Sequence, residues 1–309
     1  MKRILFSLGL LALLTFLLLS PQTALQCARN GLALWYQNLV PVLLPFMILS
    51  NLMIRLNLVA AIAGIVHPVL HLVFGTSIHG SYAILSGFLF GCPMGAKVVH
   101  DLLEEQSICQ EEAEYLISFV NNLSPAFVIT YLVQESLQSP ALLGPTLAIL
   151  YGAPLISALI FAPKYRKKAA FVSRKKNKAS KALPQLELVD ACISNGIVTI
   201  AQLGGYILLF SLITGMLQVL PLKNKLLLCL LGSLTEITNG IRMLSQCSFP
   251  FPLRYLCLIC LSAFGGFCAL MQTLSVFPMK KQTLRHYLVS KGIIFFIALF
   301  FSLIFCQSL

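Results

Sequence analysis

The sequence predicts an all-α polytopic membrane protein, an inverted repeat of two halves with about seven transmembrane helices and two re-entrant hairpins. Composition gives the class, because 58% of the residues are hydrophobic and 10% are charged, whereas a soluble domain has about 25% charged residues. Several apolar runs reach the roughly 20 residues that a helix needs to span a bilayer. A motif that occurs twice, each time in an interrupted apolar run, predicts that the two halves arose by duplication. We expect a multi-pass protein of the cell membrane.

The repeat is centred on residues 91–97, which read GCPMGAK, and residues 236–242, which read EITNGIR. The two segments lie 145 positions apart, which places Gly95 on Gly240. Three further blocks match in the same order: 27–31 with 192–196, 118–122 with 262–266, and 141–162 with 286–306. A broken helix in lipid frees backbone groups that need partners. Interrupted segments at matching positions of two halves mark the binding site of many transporters.

The first element is an apolar run, Ile4–Leu19, that follows two basic residues. A signal peptide cleaved after Ala24 would have a small residue three positions before the cut, and Gln22 stands there instead. We therefore expect a retained N-terminal helix or signal anchor over residues 1–20, with a cleaved signal peptide as the alternative.

The first repeat is predicted over residues 27–162. Its elements are a span at 31–54, an interfacial stretch at 58–74, a hairpin at 80–100, an acidic stretch, and spans at 115–134 and 141–162. The charges of the acidic stretch predict exposure to water; they are Asp101, Glu104, Glu105, Glu111, Glu112 and Glu114. His67 and His71 lie four residues apart without nearby carboxylates, which favours an interfacial helix over a metal site.

A basic cytoplasmic loop is predicted over residues 163–185, and the second repeat over 186–306. Nine basic residues and no acidic one lie from Lys164 to Lys181, which places this loop inside the cell, next to anionic lipid. The net charge of +12 therefore reflects membrane topology, and no nucleic-acid partner is expected. The second repeat has a span at 193–220, a hairpin at 225–246, and spans at 253–278 and 287–306. Matching segments of the two halves then run in opposite directions.

Glu236 is the only acidic residue deep inside a predicted membrane segment. A carboxylate there is costly, so we expect it to pair with a cation or to face a cavity. It could bind a polar solute, carry a coupling proton or hold a cation; the structural alternative is an ion pair with Arg242 or Lys97. These two cations lie near hairpin ends, where snorkelling to the interface is the simplest expectation. Thr238 and Asn239 add a hydroxyl and an amide that donate and accept hydrogen bonds.

A second pair of breaks accompanies the hairpins. Asn121–Pro125 interrupts one span, and because Pro125 has no backbone donor, freed carbonyls could face a cation or a solute. Gly265 and Gly266 break the matching span; the alternative at both places is a kink whose polar side chains bond neighbouring helices. Together the breaks and hairpins predict a solute or ion pathway. Its candidate residues are Gly91, Pro93, Gly95, Lys97, Asn121, Asn122, Ser124, Pro125, Glu236, Thr238, Asn239, Gly240, Gly265 and Gly266.

Catalytic patterns are missing from the sequence. It has no phosphate-binding loop, no paired carboxylates in a membrane segment and no Ser-His-Asp arrangement, so we expect no enzyme, no cofactor and no metal site. Cys257 and Cys260 have redox spacing but lie in a predicted span without a thioredoxin-like context, which favours ordinary core residues.

Residues 91–97, 111–114 and 118–125 resemble the bacterial YlbJ-like sporulation integral membrane proteins of the wider nucleoside-recognition, or Gate-domain, group. Residues 236–240 resemble the second Gate motif of that group, and the resemblance covers residues 27–305. The group is similar in plan to concentrative nucleoside transporters and to the membrane part of ferrous-iron transporters, in which hairpins and broken helices line the pathway. The resemblance implies such a pathway here and a link to the cortex or coat stage of spore formation.

These observations predict transport of a small polar solute, with nucleoside-like solutes among the candidates. The expected partners are membrane lipid and the solute or a coupling ion, and self-association into a homo-oligomer is left open. One alternative is a non-transporting membrane scaffold or assembly factor for the spore cortex or coat. The other is an ion or metal permease.

Overall fold

The computed structural model describes residues 2–169, 185–219 and 225–307, which are helical almost throughout and contain no strand. The helices of the first half are α1 Lys2–Leu19, α2 Pro21–Ala33, α3 Val40–Arg55, α4 Val59–Ala63, α5 His67–Phe74, α6 Ile78–Phe90, α7 Met94–Glu104, α8 Gln110–Ile117, α9 Pro125–Phe127 and α10 Leu143–Ala169. Two π-helical segments, Leu34–Leu39 and Val128–Leu137, and a short 3₁₀ turn, Pro140–Leu142, complete this half.

The helices of the second half are α11 Gln185–Val219, α12 Lys225–Thr235, α13 Ile237–Ser245, α14 Phe251–Phe264, α15 Gly266–Val276 and α16 Lys281–Cys306. Most of the predicted basic loop, including Lys175 and Lys181, lies outside the described residues. The predicted boundaries between loop and repeats stay predictions.

Five stretches are long and apolar enough to cross a membrane: Pro21–Arg55, Pro140–Arg166, Leu186–Val219, Phe251–Val276 and Lys281–Cys306. Helices α5 and α6 together pass the same test but meet at an angle of 98°, so the described residues contain five or six candidate spans. This confirms the predicted all-α multi-pass architecture. Helices α8 and α9, on either side of the predicted break, are too short to count, so the total of about seven crossings stays a prediction.

The first span is longer than predicted, because α2, a π-helical segment and α3 form one stretch from Pro21 to Arg55. The π-helical residues Leu34–Leu39 come directly before Pro41 and Pro45. Proline lacks a backbone donor and its ring crowds the preceding turn, and a widened turn of this kind accommodates both effects. The stretch packs against α11, where the Trp35 indole donates to the Ile200 carbonyl at 2.8 Å.

Both predicted hairpins are present as two helices joined at a short break. Helix α6 packs against α7, and α12 packs against α13. A Cβ placed on Gly95 would lie 3.1 Å from the Gly87 Cα, and one placed on Gly240 would overlap Ser233. The two glycines that the sequence repeat aligns therefore perform the same task, which is to let the arms of each hairpin meet. This agreement is compatible with the inverted repeat.

Two acidic residues of the stretch predicted to be solvated are buried. Asp101 on α7 is 6% exposed and pairs with Lys97, and Glu112 on α8 is 4% exposed and accepts from the Ser77 backbone N–H at 2.6 Å. The prediction of water exposure is wrong for these two. Their positions in helices that pack against α6 and α7 give each carboxylate a polar partner, which burial requires.

Candidate functional site

The tip of the first hairpin, residues 91–93 between α6 and α7, packs closely against the interrupted segment 118–124. Gly91 ends α6 with φ of +75°, and a Cβ there would lie 2.5 Å from the Ser124 backbone nitrogen. The Cys92 backbone N–H donates to the Asn122 carbonyl at 2.5 Å. Glycine is required at this position both for the left-handed backbone conformation and for the close approach.

Most carbonyls of the interrupted segment 118–124 accept hydrogen bonds from donors of the protein itself. Cys92 donates to Asn122, as described above. The other pairs are Ser290 Oγ with Ser118 O, Asn122 Nδ2 with Phe119 O at 2.6 Å, Lys291 Nζ with Asn121 O at 2.6 Å, and Tyr151 OH with Leu123 O at 2.8 Å. The carbonyls expected to face a cation or solute are thus already paired with donors from three surrounding elements, the first hairpin tip, α10 and α16, and from the segment itself. Pro125 begins α9, and the Ser124 hydroxyl caps it by accepting from the Phe127 N–H.

The Asn121 side chain joins the two halves. Its Nδ2 donates to Thr273 Oγ1 at 2.6 Å and contacts Tyr287 OH at 3.3 Å and Cys92 Sγ at 3.4 Å. The residue is 2% exposed, yet its Oδ1 has no hydrogen-bond partner in the structure. A buried acceptor without a partner is unusual and marks a point where a water or solute could donate.

Lys291 is the functional candidate that sequence reasoning missed. It lies on α16 within the span Lys281–Cys306, is 6% exposed, and donates to the Asn121 carbonyl. Its only sequence signal is a basic residue near the start of the predicted span 287–306. The partner is 170 positions away in the chain, a separation across which sequence patterns carry no pairing information.

At the tip of the second hairpin, between α12 and α13, the Glu236 carboxylate caps the N-terminus of α13. Its two oxygens accept from the backbone N–H groups of Thr238 at 2.9 Å and Asn239 at 2.7 Å, and the residue is 4% exposed. It forms no ion pair with Arg242 or Lys97 in the described residues, so the ion-pair alternative is wrong. The helix N-terminus offers partial positive charge and free N–H groups, which replace a cation as the partner of this carboxylate.

Thr238 and Asn239 contact other elements of the membrane domain. The Thr238 carbonyl accepts from Tyr131 OH at 2.9 Å, and Asn239 Nδ2 lies 3.4 Å from Ser211 Oγ. The tip is thereby attached to the first half through the π-helical segment that carries Tyr131, and to α11 through Ser211.

The second break lies beside the second tip. Gly265 and Gly266 have φ of +91° and +77°, and a Cβ on Gly266 would lie 3.1 Å from the carbonyl oxygens of Ser233 and Leu234 on α12. Each break therefore packs against the hairpin of its own half. The break at Gly265 also leads into α15, which carries Thr273, the partner of Asn121.

The amino-acid sequence can be compared with those of known proteins. The chain is similar to the sporulation integral membrane protein YlbJ of Bacillus subtilis (strain 168). The two are 26% identical over 290 residues, which cover 83% of this chain and 71% of that protein. This confirms the predicted resemblance to YlbJ-like proteins and the multi-pass membrane localisation. No protein-family model matches the chain, and no solved structure matches it.

The position of Lys97 differs from the predicted one. Rather than snorkelling to the interface, it is 5% exposed and donates to Asp101 at 2.5 Å, one turn along α7. Asn51 on α3 lies 3.5 Å from the second Asp101 oxygen and is contacted by Arg55. Lys97 is therefore part of a buried ion pair that attaches the first hairpin to α3, and its ammonium is not free to contact a solute.

Two pockets lie at opposite ends of the helices that surround the tips. The α10–α16 pocket, of about 330 Å³, is lined by Glu114, Lys164, Arg285 and other residues. The α13–α14 pocket, of about 460 Å³, is lined by Tyr131 and Arg242, among others. Tyr131, which lines the second pocket, also donates to the Thr238 carbonyl of the second tip.

Proposed function

We propose that the protein moves a small polar solute across the membrane. The observation that carries the proposal is the contact between two interrupted helices, each packed against a hairpin, where Asn121 donates to Thr273 across the halves. Non-helical backbone within a membrane domain is tolerated where protein or a cavity satisfies it, and such breaks form the solute sites of transporters built from repeats. Nucleoside-like solutes are the first candidates, on the Gate-domain resemblance.

Polar groups beside the tips supply the recognition chemistry. Asn121 Oδ1 is an unpaired acceptor, and the Asn239 amide lies beside the second tip, 3.4 Å from Ser211 Oγ. An acceptor together with an amide can recognise the hydrogen-bonding edge of a base or sugar. The pockets at the two ends of the helix set offer an approach from each side. The hairpins, which meet the breaks at close glycine contacts, would gate these approaches.

A link to spore formation is part of the same proposal, because the similar Bacillus protein is named as a sporulation membrane protein. The alternative that this observation favours is a scaffold or assembly factor for the spore cortex or coat, with the broken helices kept for structure. The dense donor set around residues 118–124 supports that alternative, since it closes the pathway in this conformation. An ion or metal permease is a third candidate, resting on Glu236.

Uptake into proteoliposomes tests the proposal. The purified full-length protein would be reconstituted and offered labelled nucleosides, nucleobases, organic acids and simple cations. We expect saturable uptake of one solute class by the wild type and loss of it in Glu236→Gln. Glu187→Gln, which changes an exposed carboxylate of α11, should transport like the wild type. A folded, inserted protein without any flux would favour the scaffold; flux of ions alone would favour the permease.

A further inference from the structure

One buried cation in a candidate span has no carboxylate partner. No Asp or Glu in the described part of the chain lies within 4.0 Å of the Lys291 ammonium. Its hydrogen bond runs instead to the Asn121 main-chain carbonyl at 2.6 Å. An ionisable side chain inside a membrane segment is costly and is retained where it pairs with an acid or with backbone carbonyls. Lys291 pairs with a backbone carbonyl.

Three carboxylates of the membrane domain have partners other than Lys291. Glu114 of α8 accepts from the Thr283 hydroxyl, which lies eight residues before Lys291, near the start of α16. Asp101 pairs with Lys97, and Glu236 caps α13.

The groups that do face the ammonium are polar but uncharged. They are the Cys92 thiol and Tyr287, whose ring centre lies 5.9 Å from Nζ. The helices packed on α16 are α8, which carries Glu114, α10 and α14. On these helices Tyr151 is bonded to the Leu123 carbonyl, and Tyr255 contacts Thr146 and Phe305 at the far end of α16.

Asn121 connects four oxygens of the kind that bind a hard cation, and Lys291 contacts one of them. They are the Asn121 carbonyl, the unpaired Asn121 Oδ1, Thr273 Oγ1 and Tyr287 OH, which are connected through the Asn121 side chain. Carbonyl and hydroxyl oxygens are the ligands that hard metal ions prefer. Unwound carbonyls are also where transporters of repeat architecture bind Na⁺. Here the ammonium already contacts the central carbonyl.

We propose that Lys291 is a tethered cation that takes the place of a bound metal ion at the interrupted segment 118–124. Its positive charge neutralises the partial negative charge of the freed carbonyl, so the segment is stable without Na⁺. A second consequence rests on the transport function proposed above: solute uptake does not depend on a Na⁺ gradient.

Thermal unfolding of the purified full-length protein in detergent tests the first consequence. Lys291→Ala opens a cavity beside the carbonyl, whereas Lys291→Met fills most of the volume without charge. We expect the wild type to melt at the same temperature in sodium chloride and in choline chloride of equal ionic strength. Both variants should melt lower, by about 3–6 °C, because the carbonyl is left unpaired.

Rescue distinguishes charge from packing. Butylammonium chloride should restore part of the lost melting temperature in Lys291→Ala but not in Lys291→Met, and tetramethylammonium, which has no N–H, should restore neither. Any of three results would overturn the proposal. The wild type could melt higher in sodium chloride than in choline chloride, or Lys291→Met could melt at the wild-type temperature. The third is that butylammonium does not raise the melting temperature of Lys291→Ala. If Lys291→Ala does not fold, Lys291→Arg provides the test. Because this variant keeps the positive charge, it should melt at a higher temperature than Lys291→Met. An equal loss of melting temperature in both variants would refute the proposal.

The transport consequence has a separate readout. Uptake by the wild type should be equal with inward Na⁺ and with inward K⁺ gradients, and stimulation by Na⁺ would contradict a tethered cation. If the reconstituted protein moves no solute, the proposed transport function fails. The unfolding and rescue measurements would still decide the role of Lys291.

Discussion

Gly95 and Gly87 are in contact across the first hairpin: a Cβ on Gly95 would lie 3.1 Å from the Gly87 Cα and would overlap the Val120 carbonyl. The hairpin therefore has no space for a side chain where its arms meet the interrupted segment. We expect Gly95→Ala to destabilise the protein by at least about 2 kcal/mol, because backbone atoms on both sides cannot rotate away. Unfolding of the purified protein in detergent would measure the loss.

Gly152→Ala is the matched control for that substitution. Gly152 also lies in a helix, α10, but a Cβ there meets nothing within 4 Å. The control should be neutral or slightly stabilising, since alanine favours helix more than glycine does. Equal stability of the two variants would show that the hairpin arms are farther apart than in this structure.

The second hairpin can be tested by cross-linking. Cys229 on α12 and Cys247, just after α13, have sulfur atoms 3.0 Å apart. We expect copper phenanthroline to oxidise them to a disulfide, the two thiols releasing two protons and passing two electrons to the oxidant. Mass spectrometry should find a loss of about 2 Da and a peptide that joins the two cysteines. Cys229→Ser should abolish the link, and failure of the wild type to form it would refute this arrangement of the arms.

The sequence located the hairpins and breaks because glycine and proline mark them in apolar runs, and both tips lie where the motif predicted. It could not show the partners of buried charges. Lys97 and Asp101 are one turn apart, yet their charge pattern also fits an exposed helix. Lys291 and Asn121 meet only through tertiary packing. The capping role of Glu236 was also missed, because glutamate is not among the residues strongly favoured at helix N-caps.

The buried pair of Lys97 and Asp101 predicts non-additive substitutions. Lys97→Met leaves the Asp101 carboxylate buried with only the long 3.5 Å contact from Asn51, and we expect a loss of about 3–5 kcal/mol. Adding Asp101→Leu should recover much of that loss, since an apolar pair needs no charge compensation. A double-mutant cycle on unfolding in detergent measures the coupling. Additive losses would mean that Lys97 and Asp101 contribute independently.

Glu236 has a structural role that has to be separated from its proposed part in transport. Its carboxylate caps two N–H groups of α13, so Glu236→Ala should cost about 1–2 kcal/mol of stability through the lost cap. Glu236→Gln keeps one carbonyl oxygen as an acceptor and should cost less. It nevertheless removes the charge that a solute or coupling proton would sense.

Stability and uptake measured together on both variants decide between the two roles. If the charge is needed for transport, Glu236→Gln should lose uptake as completely as Glu236→Ala while remaining clearly more stable. If Glu236 is only a cap, uptake should follow stability, and Glu236→Gln should keep most of it. Glu236→Asp adds a third point, because it retains the charge but shortens the side chain. Transport by that variant above the level of Glu236→Gln would identify charge, rather than cap geometry, as the requirement.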